Sequence, residues 1–145
     1  MIAVQYPEPN FKIKKDGDKR YIFCLIRKQW LLLTEEEWVR QNFVQFLITT
    51  LNYPKTLIAC EKEIQLNELK KRFDILVYDE NHKPWMLVEC KEPGVILSEH
   101  VLQQVLRYNM KVPVQYIVIT NGNHTIAWIK NNAQLDLLTE LPRWI

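Results

Sequence analysis

Hydrophobic residues between positions 39 and 51 return every three to four residues, a spacing typical of an amphipathic helix. They stand at Val39, Phe43, Phe46, Leu47 and Leu51. Thr34 precedes three consecutive glutamates, and this T-x-x-E capping box with an acidic first turn predicts the start of the helix. Pro54 predicts that the helix ends near Asn52.

Shorter runs of β-branched and aromatic residues predict strands. Before the helix, 14–20 is predicted as an exposed turn and 21–26 as a short strand. After the helix, strands are predicted at 56–66, 71–78 and 84–91. The polar turn between the last two predicts a hairpin.

The remaining third of the chain predicts one more helix and two more strands. Ser98 is a helix cap before a second apolar-periodic segment at 99–111, and strands follow at 114–120 and 124–129. The order from the first helix is therefore helix, three strands, helix, two strands. It predicts an α/β (α+β) fold with a central mixed β-sheet flanked by helices.

Composition narrows the class of protein. The 145 residues are 48% hydrophobic and 25% charged, which predicts one globular domain over 1–145, and no apolar run is long enough for a membrane span. The net charge of +2 excludes a strongly basic nucleic-acid coat but permits local basic patches. The three glycines are isolated, which excludes a P-loop. Three widely spaced cysteines predict buried, reduced thiols in a cytoplasmic protein.

Charged residues interrupt two strands that otherwise read as buried. Asp74 lies within the predicted strand 71–78, and Glu89 and Lys91 lie near the end of 84–91. Because side chains alternate along a strand, Glu89 and Lys91 share a face and Cys90 points to the other. Carboxylates in such a place suit Mg²⁺ or Mn²⁺, although strand-end charges that simply reach solvent give the same pattern.

The first helix offers a further acid. Relative to the apolar stripe, Glu36 is expected on the inward side, where it can join a metal site, whereas Glu37 is the capping-box residue and is expected to point outward. All three glutamates are also consistent with simple capping. On the second helix Gln104 and Tyr108 share a face and are candidates to orient the lysine or a phosphate.

Taken together, these residues resemble the N-terminal domain of type I restriction enzyme R subunits, within the PD-(D/E)xK nuclease superfamily. The resemblance covers approximately 21–129. It rests on 33–41, 71–75, 87–93, 104–108 and the Thr120-Asn121-Gly122 turn. Phe73 stands where the superfamily name has proline, and the helicase motor of a full R subunit is absent from these 145 residues.

The resemblance implies a restriction-endonuclease-like fold and a Mg²⁺- or Mn²⁺-dependent DNA endonuclease. Asp74 and Glu89 would bind the metal, with Glu36, or Glu37 if the helical phase is wrong, as an additional acid. Lys91 would help activate water, and Gln104 and Tyr108 match the QxxxY element of related nucleases. The implied partners are DNA and motor or specificity subunits of a restriction-type system, and a homodimer would pair two sites.

Two other functions remain open from the sequence. A non-catalytic DNA-binding or subunit-docking module could retain the nuclease fold, and a small-molecule enzyme could use the same carboxylates. Basic pairs at 14–15, 19–20 and 27–28 and the basic run 70–72 are natural phosphate contacts, although each alone is typical of a solvated surface.

Overall fold

The computed structural model describes residues 1–144, except for the side chains of Leu66 and Leu69; residue 145, the end of the predicted domain, lies outside the described residues. Two sheets and two helices make up the fold. The smaller sheet contains β1 (Ile13–Asp16), β2 (Lys19–Cys24) and β3 (Gln29–Leu32), and helix α1 (Glu35–Thr49) follows it. A short 3₁₀ helix (Lys55–Leu57) leads from α1 to the larger sheet.

The larger sheet has six strands and is mixed. Its strands are β4 (Ile58–Leu66), β5 (Leu69–Tyr78), β6 (Pro84–Cys90), β7 (Tyr116–Thr120), β8 (Thr125–Asn131) and β9 (Gln134–Leu137), in that spatial order. All neighbours are antiparallel except β6 and β7, which are joined by a crossover through helix α2 (Glu99–Asn109). The predicted α+β class with a central mixed sheet is confirmed.

Three strands, each of only four residues, were missed because so short a segment gives little pattern to detect. The predicted turn at 14–20 is instead the β1–β2 hairpin, the predicted strand 21–26 ends at Cys24, and β3 and β9 had no strand prediction. β1 and β3 are mostly exposed, so burial does not impose a hydrophobic pattern on them.

Both helices begin at the predicted caps. The Thr34 hydroxyl accepts a 3.0 Å hydrogen bond from the Glu37 amide, and the Ser98 hydroxyl accepts one from the Val101 amide at 3.3 Å. These bonds satisfy amide groups that have no partner inside the helix. The capping box is only half formed, because the Glu37 carboxylate is engaged elsewhere.

The two helices cover opposite faces of the larger sheet. Along β5, Ile75 and Val77 pack in the cluster that contains α1, whereas Leu76 packs in the cluster that contains α2. All three cysteines are buried, as predicted. Among residues 1–144, no helix is both long and apolar enough to cross a bilayer.

The β7–β8 turn approaches α1 closely at Gly122. Its φ is +90°, and a Cβ added there would lie 3.2 Å from a methyl group of Val39. Gly94 has neither constraint. Its φ is outside the left-handed region, and a Cβ added there would meet no atom within 4 Å. The two glycines therefore form a matched pair for a test of backbone constraint.

We predict that Gly122→Ala lowers the free energy of unfolding by about 1–3 kcal/mol, because a side chain must adopt a left-handed backbone and displace Val39. Gly94→Ala is expected to change it by less than about 0.5 kcal/mol. Urea unfolding followed by tryptophan fluorescence measures both. Equal stability of the two variants would contradict this account of the turn.

Candidate active site

Asp74 and Glu89 lie side by side on neighbouring strands. Ile75 of β5 pairs with Val88 of β6, so Asp74 and Glu89 occupy the next position of the antiparallel ladder. The Asp74 carboxylate accepts a 2.7 Å hydrogen bond from the Cys90 amide. The structure therefore brings together the two carboxylates that the sequence selected.

Lys91 completes a small group with Glu89. The Lys91 ammonium lies 3.6 Å from the Glu89 carboxylate, and both side chains are partly exposed, whereas Cys90 between them is fully buried. The Lys91 amide donates to the Thr120 carbonyl at 2.8 Å, which continues the pairing with β7 beyond the end of β6. The predicted alternation of faces at these three positions is confirmed.

The surroundings of Glu89 disfavour the charged form of its carboxylate. Burial raises the pKa of Glu89, and the nearby charge of Asp74 adds to the rise, to about 7. Lys91 opposes this rise only in part, and the charge of Glu36 adds a smaller contribution to it. Burial and the neighbouring carboxylate therefore both disfavour the charged form of Glu89.

Arg40 of α1 lies at the centre of the neighbouring acids, with a side chain only 5% exposed. Its guanidinium donates hydrogen bonds to Glu37 at 2.7 Å and to Asp74 at 3.2 Å, and it forms an ion pair with Glu61 at 2.8 Å. Burial alone would lower the pKa of Arg40, but the charges of Glu37 and Asp74 raise it. This one cation therefore links α1, β4 and β5.

The prediction that Glu37 points outward is wrong. Its carboxylate is buried and accepts hydrogen bonds from Arg27 at 2.5 Å, Arg40 at 2.7 Å and Gln41 at 2.9 Å. Two arginines compensate the cost of burying this charge. Because the Glu37 carboxylate binds them, it does not accept the reciprocal capping-box hydrogen bond from the Thr34 amide. Glu37 is therefore saturated by protein donors.

Glu36 lies closer to solvent than predicted. Its side chain is 47% exposed and lies 3.8 Å from the guanidinium of Arg40, one helical turn away. Its charge still contributes to the raised pKa of Glu89. Glu37 accepts three hydrogen bonds from protein side chains, whereas the nearest cation to Glu36 in the described structure is Arg40 at 3.8 Å. The place of Glu36 in the site stays a prediction.

Glu61 is an acid that the sequence did not single out. The pairs Cys60–Ile75 and Lys62–Phe73 flank it, which places Glu61 opposite Asp74 on the neighbouring strand. Its φ is +54°, a conformation that a residue with a side chain adopts at a cost. Its carboxylate bridges Arg40 and Arg72, each at 2.8 Å.

Gln104 and Tyr108 share a solvent-exposed face of α2. Within residues 1–144, neither side chain is hydrogen-bonded to Asp74, Glu89 or Lys91. The ring of Tyr108, which is 57% exposed, lies beneath the ammonium of Lys71 instead, 3.9 Å from its centroid. The predicted orientation of Lys91 by these residues has no support from these contacts.

The Thr120-Asn121-Gly122 turn braces the segment that follows Lys91. The Asn121 side chain donates to the Val95 carbonyl at 2.9 Å and accepts from the amides of Asn123 and His124 at 2.9 and 2.7 Å. The turn therefore fixes the backbone that leaves the site, which is a structural role.

A family model described as "Type I restriction enzyme R protein N terminus (HSDR_N)" matches residues 35–142. Among curated protein sequences no match is found. Among solved structures, the chain is similar to a protein from Anabaena variabilis that is described as a candidate nuclease belonging to DUF820. The two are 10% identical with a TM-score of 0.49, and the alignment covers 88% of this chain and 80% of the other.

We predict that Arg40→Gln lowers the free energy of unfolding at pH 8 by about 3–5 kcal/mol, because Glu37 and Asp74 lose a buried counter-charge. Arg72→Gln is the matched control: Arg72 also pairs with Glu61 but is 66% exposed, so a loss below about 1 kcal/mol is expected. Urea unfolding measures both. Comparable losses in the two variants would show that the ion pairs of Arg40 contribute no more to stability than an exposed ion pair does.

A second prediction concerns pH. In EDTA, Glu89→Gln should raise the melting temperature relative to wild type at pH 8 and lose most of that advantage near pH 4.5. The folded pKa of Glu89, about 7, lies above its ordinary value of 4.5, so its stabilising contribution is complete below pH 4.5 and is lost as the pH rises through 7.

Differential scanning fluorimetry across this pH range measures the effect. Glu80→Gln, in the exposed turn before β6, reports what the removal of a surface carboxylate does by itself. A wild-type minus Glu89→Gln difference that stays constant with pH would contradict the assignment.

Proposed function

The chain belongs to the family of type I restriction enzyme R protein N termini, and on this premise we propose that it is a divalent-metal-dependent DNA endonuclease domain that hydrolyses phosphodiester bonds. The observation that carries the proposal is that Asp74, in the middle of β5, lies beside Glu89 near the end of β6, with Lys91 next to Glu89. Two partly buried carboxylates side by side, with a lysine next to them, are costly to folding unless they serve chemistry.

The donor set fits Mg²⁺ or Mn²⁺. Mg²⁺ is typically bound by one or two carboxylates, with water and substrate phosphate oxygens as its remaining ligands. Asp74 and Glu89 supply two carboxylates. Within residues 1–144, no group of three or more histidine, cysteine, aspartate or glutamate residues is placed to hold a metal ion, so water and phosphate oxygens would have to supply the other ligands. The raised pKa of Glu89 marks negative charge that a cation would offset. Glu36 is the proposed additional acid.

Hydrolysis adds water across a phosphorus–oxygen bond, so that the hydroxyl joins phosphorus and the proton ends on the departing sugar oxygen. When bound, the metal would supply Lewis-acid stabilisation of the phosphate charge. Lys91, held beside Glu89, orients the attacking water and adds positive charge where the transition state becomes more negative. Asp74 is fixed by the Cys90 amide and by Arg40, so its direction is set before substrate arrives.

One observation favours the second candidate function, a non-catalytic DNA-binding or subunit-docking module. Both oxygens of Asp74 have protein partners, Arg40 on one side and the Cys90 amide on the other. A saturated carboxylate is a poorer metal ligand than a free one. A Mn²⁺-dependent thermal shift that Asp74→Ala abolishes supports the nuclease, and its absence in wild type supports the module.

We predict that the wild-type protein nicks supercoiled plasmid in Mg²⁺ or Mn²⁺ and that Lys91→Ala lowers the rate by at least about 100-fold, because stabilisation of transition-state charge is lost. Lys83→Ala is the control, because Lys83 lies in the turn at the opposite end of β6. This variant should cleave the plasmid at the wild-type rate. Gel electrophoresis of plasmid forms measures the rate.

The other outcomes separate the alternatives. Metal binding without cleavage would mean that the site needs a motor or specificity subunit of a restriction-type system, and reconstitution with such partners becomes the test. Cleavage that is equal in wild type and Lys91→Ala would contradict the proposed role of the lysine.

A further inference from the structure

One face of the small β1–β3 sheet is aromatic and exposed to solvent. Phe23 pairs with Trp30 across β2 and β3, and Tyr21 pairs with Leu32 on β3 and Lys14 on β1. Cross-strand partners point to the same side, so these five side chains form one surface, here called the aromatic face. The opposite face is the packed one, because Ile22 and Cys24 on it are fully buried.

The side chains of the aromatic face contact one another. The rings of Phe23 and Trp30 lie 5.4 Å apart with an edge-to-face geometry, and the Lys14 ammonium lies 4.4 Å from the centroid of the Trp30 ring. Trp30 is nevertheless 38% exposed and Leu32 is 48% exposed. Large apolar side chains thus remain open to solvent beside a cation.

Positive charge is concentrated in the same segment. Residues 11–33 contain seven lysines and arginines against two aspartates, a net charge of +5, whereas the whole chain carries only +2. The rest of the chain is therefore net negative. The aromatic face lies in the basic part of an otherwise acidic chain, which selects a polyanion as its partner.

We propose that the aromatic face binds single-stranded DNA. Exposed rings stack on bases, and only unpaired bases offer their faces, while neighbouring lysines contact the phosphate backbone. A DNA duplex could pair its phosphates with the lysines, but its bases are already stacked and would not be available to the aromatic rings. The choice of DNA rests on the proposed nuclease function; the choice of a single strand rests on Tyr21, Phe23, Trp30 and Lys14 alone.

The small sheet that carries the aromatic face adjoins the candidate site. On its opposite face, Arg20 of β2 lines a surface cavity of about 380 Å³ together with Thr34 at the start of α1 and Pro93, two residues after Lys91. In addition, Arg27 from the β2–β3 turn donates to Glu37, the buried partner of Arg40. The small sheet is therefore attached directly to the elements that carry the candidate catalytic residues.

The test is binding of a fluorescein-labelled 20-nucleotide DNA strand, followed by anisotropy in EDTA, so that no cleavage is needed. Trp30→Ala should weaken binding about 5- to 150-fold, the range for loss of one stacked base. Lys14→Ala should reduce the slope of log affinity against log salt by about 0.7, the value for one phosphate contact on a single strand. Trp30→Phe should recover most of the affinity.

Two controls have matched chemistry. Leu137→Ala removes another exposed apolar side chain, on β9, and Lys83→Ala removes another exposed lysine; both should bind as wild type. The melting temperature of each variant shows that it is folded. If Trp30→Ala lowers the melting temperature but leaves the affinity unchanged, the aromatic face only stabilises its sheet and the proposal is wrong.

Further outcomes identify other ligands. Equal affinity for a duplex of the same sequence, unaffected by Trp30→Ala, would overturn the single-strand assignment, and tighter binding of the matching RNA would overturn the choice of DNA. The inference and the proposed function fail separately. If Trp30→Ala loses strand binding but Lys91→Ala does not change plasmid nicking, the inference holds and the proposed role of Lys91 fails. If nicking requires Lys91 but Trp30→Ala binds the strand as wild type does, the proposed function holds and the inference fails.

Discussion

The site depends first on the buried guanidinium of Arg40. It neutralises carboxylates from three elements, Glu37 on α1, Glu61 on β4 and Asp74 on β5, at distances of 2.7 to 3.2 Å. Carboxylates removed from water at this density would repel one another and the chain would not close around them. Apolar packing fixes the helix on the sheet, whereas this cation fixes the acidic end of the arrangement.

The same reasoning separates two kinds of acid in the site. Glu37 has two arginines and an amide as donors, and it is fully compensated. Among the described residues, Glu89 has a single cationic partner, the ammonium of Lys91 at 3.6 Å, and its pKa is raised to about 7 by burial and by Asp74. Compensated acids are structural members of the site. The under-compensated acid is where an added cation would gain the most, which is why the proposed metal belongs beside Glu89 and its neighbour Asp74 and not at Glu37.

The sequence predicted the order of the main elements because their apolar residues follow the helix or strand period. It also selected Asp74, Glu89 and Lys91, since charge inside an apolar strand stands out. It did not find Glu61, whose role follows from a positive φ and from the β4–β5 register, neither of which is visible in residue types. Glu37 was assigned outward because the capping box accounts for its backbone but not for arginines elsewhere in the fold.

The ion pairs also connect the small sheet to the site through a continuous chain of contacts. Arg27 at the β2–β3 turn binds Glu37, Glu37 binds Arg40, and Arg40 binds Asp74. The two inner members, Glu37 and Arg40, have opposite charges on both sides, so neither can move far without leaving a buried charge unpaired. A strand bound on the aromatic face would therefore rest on an element whose position relative to Asp74 is fixed by charge, and binding and cleavage would share one rigid frame.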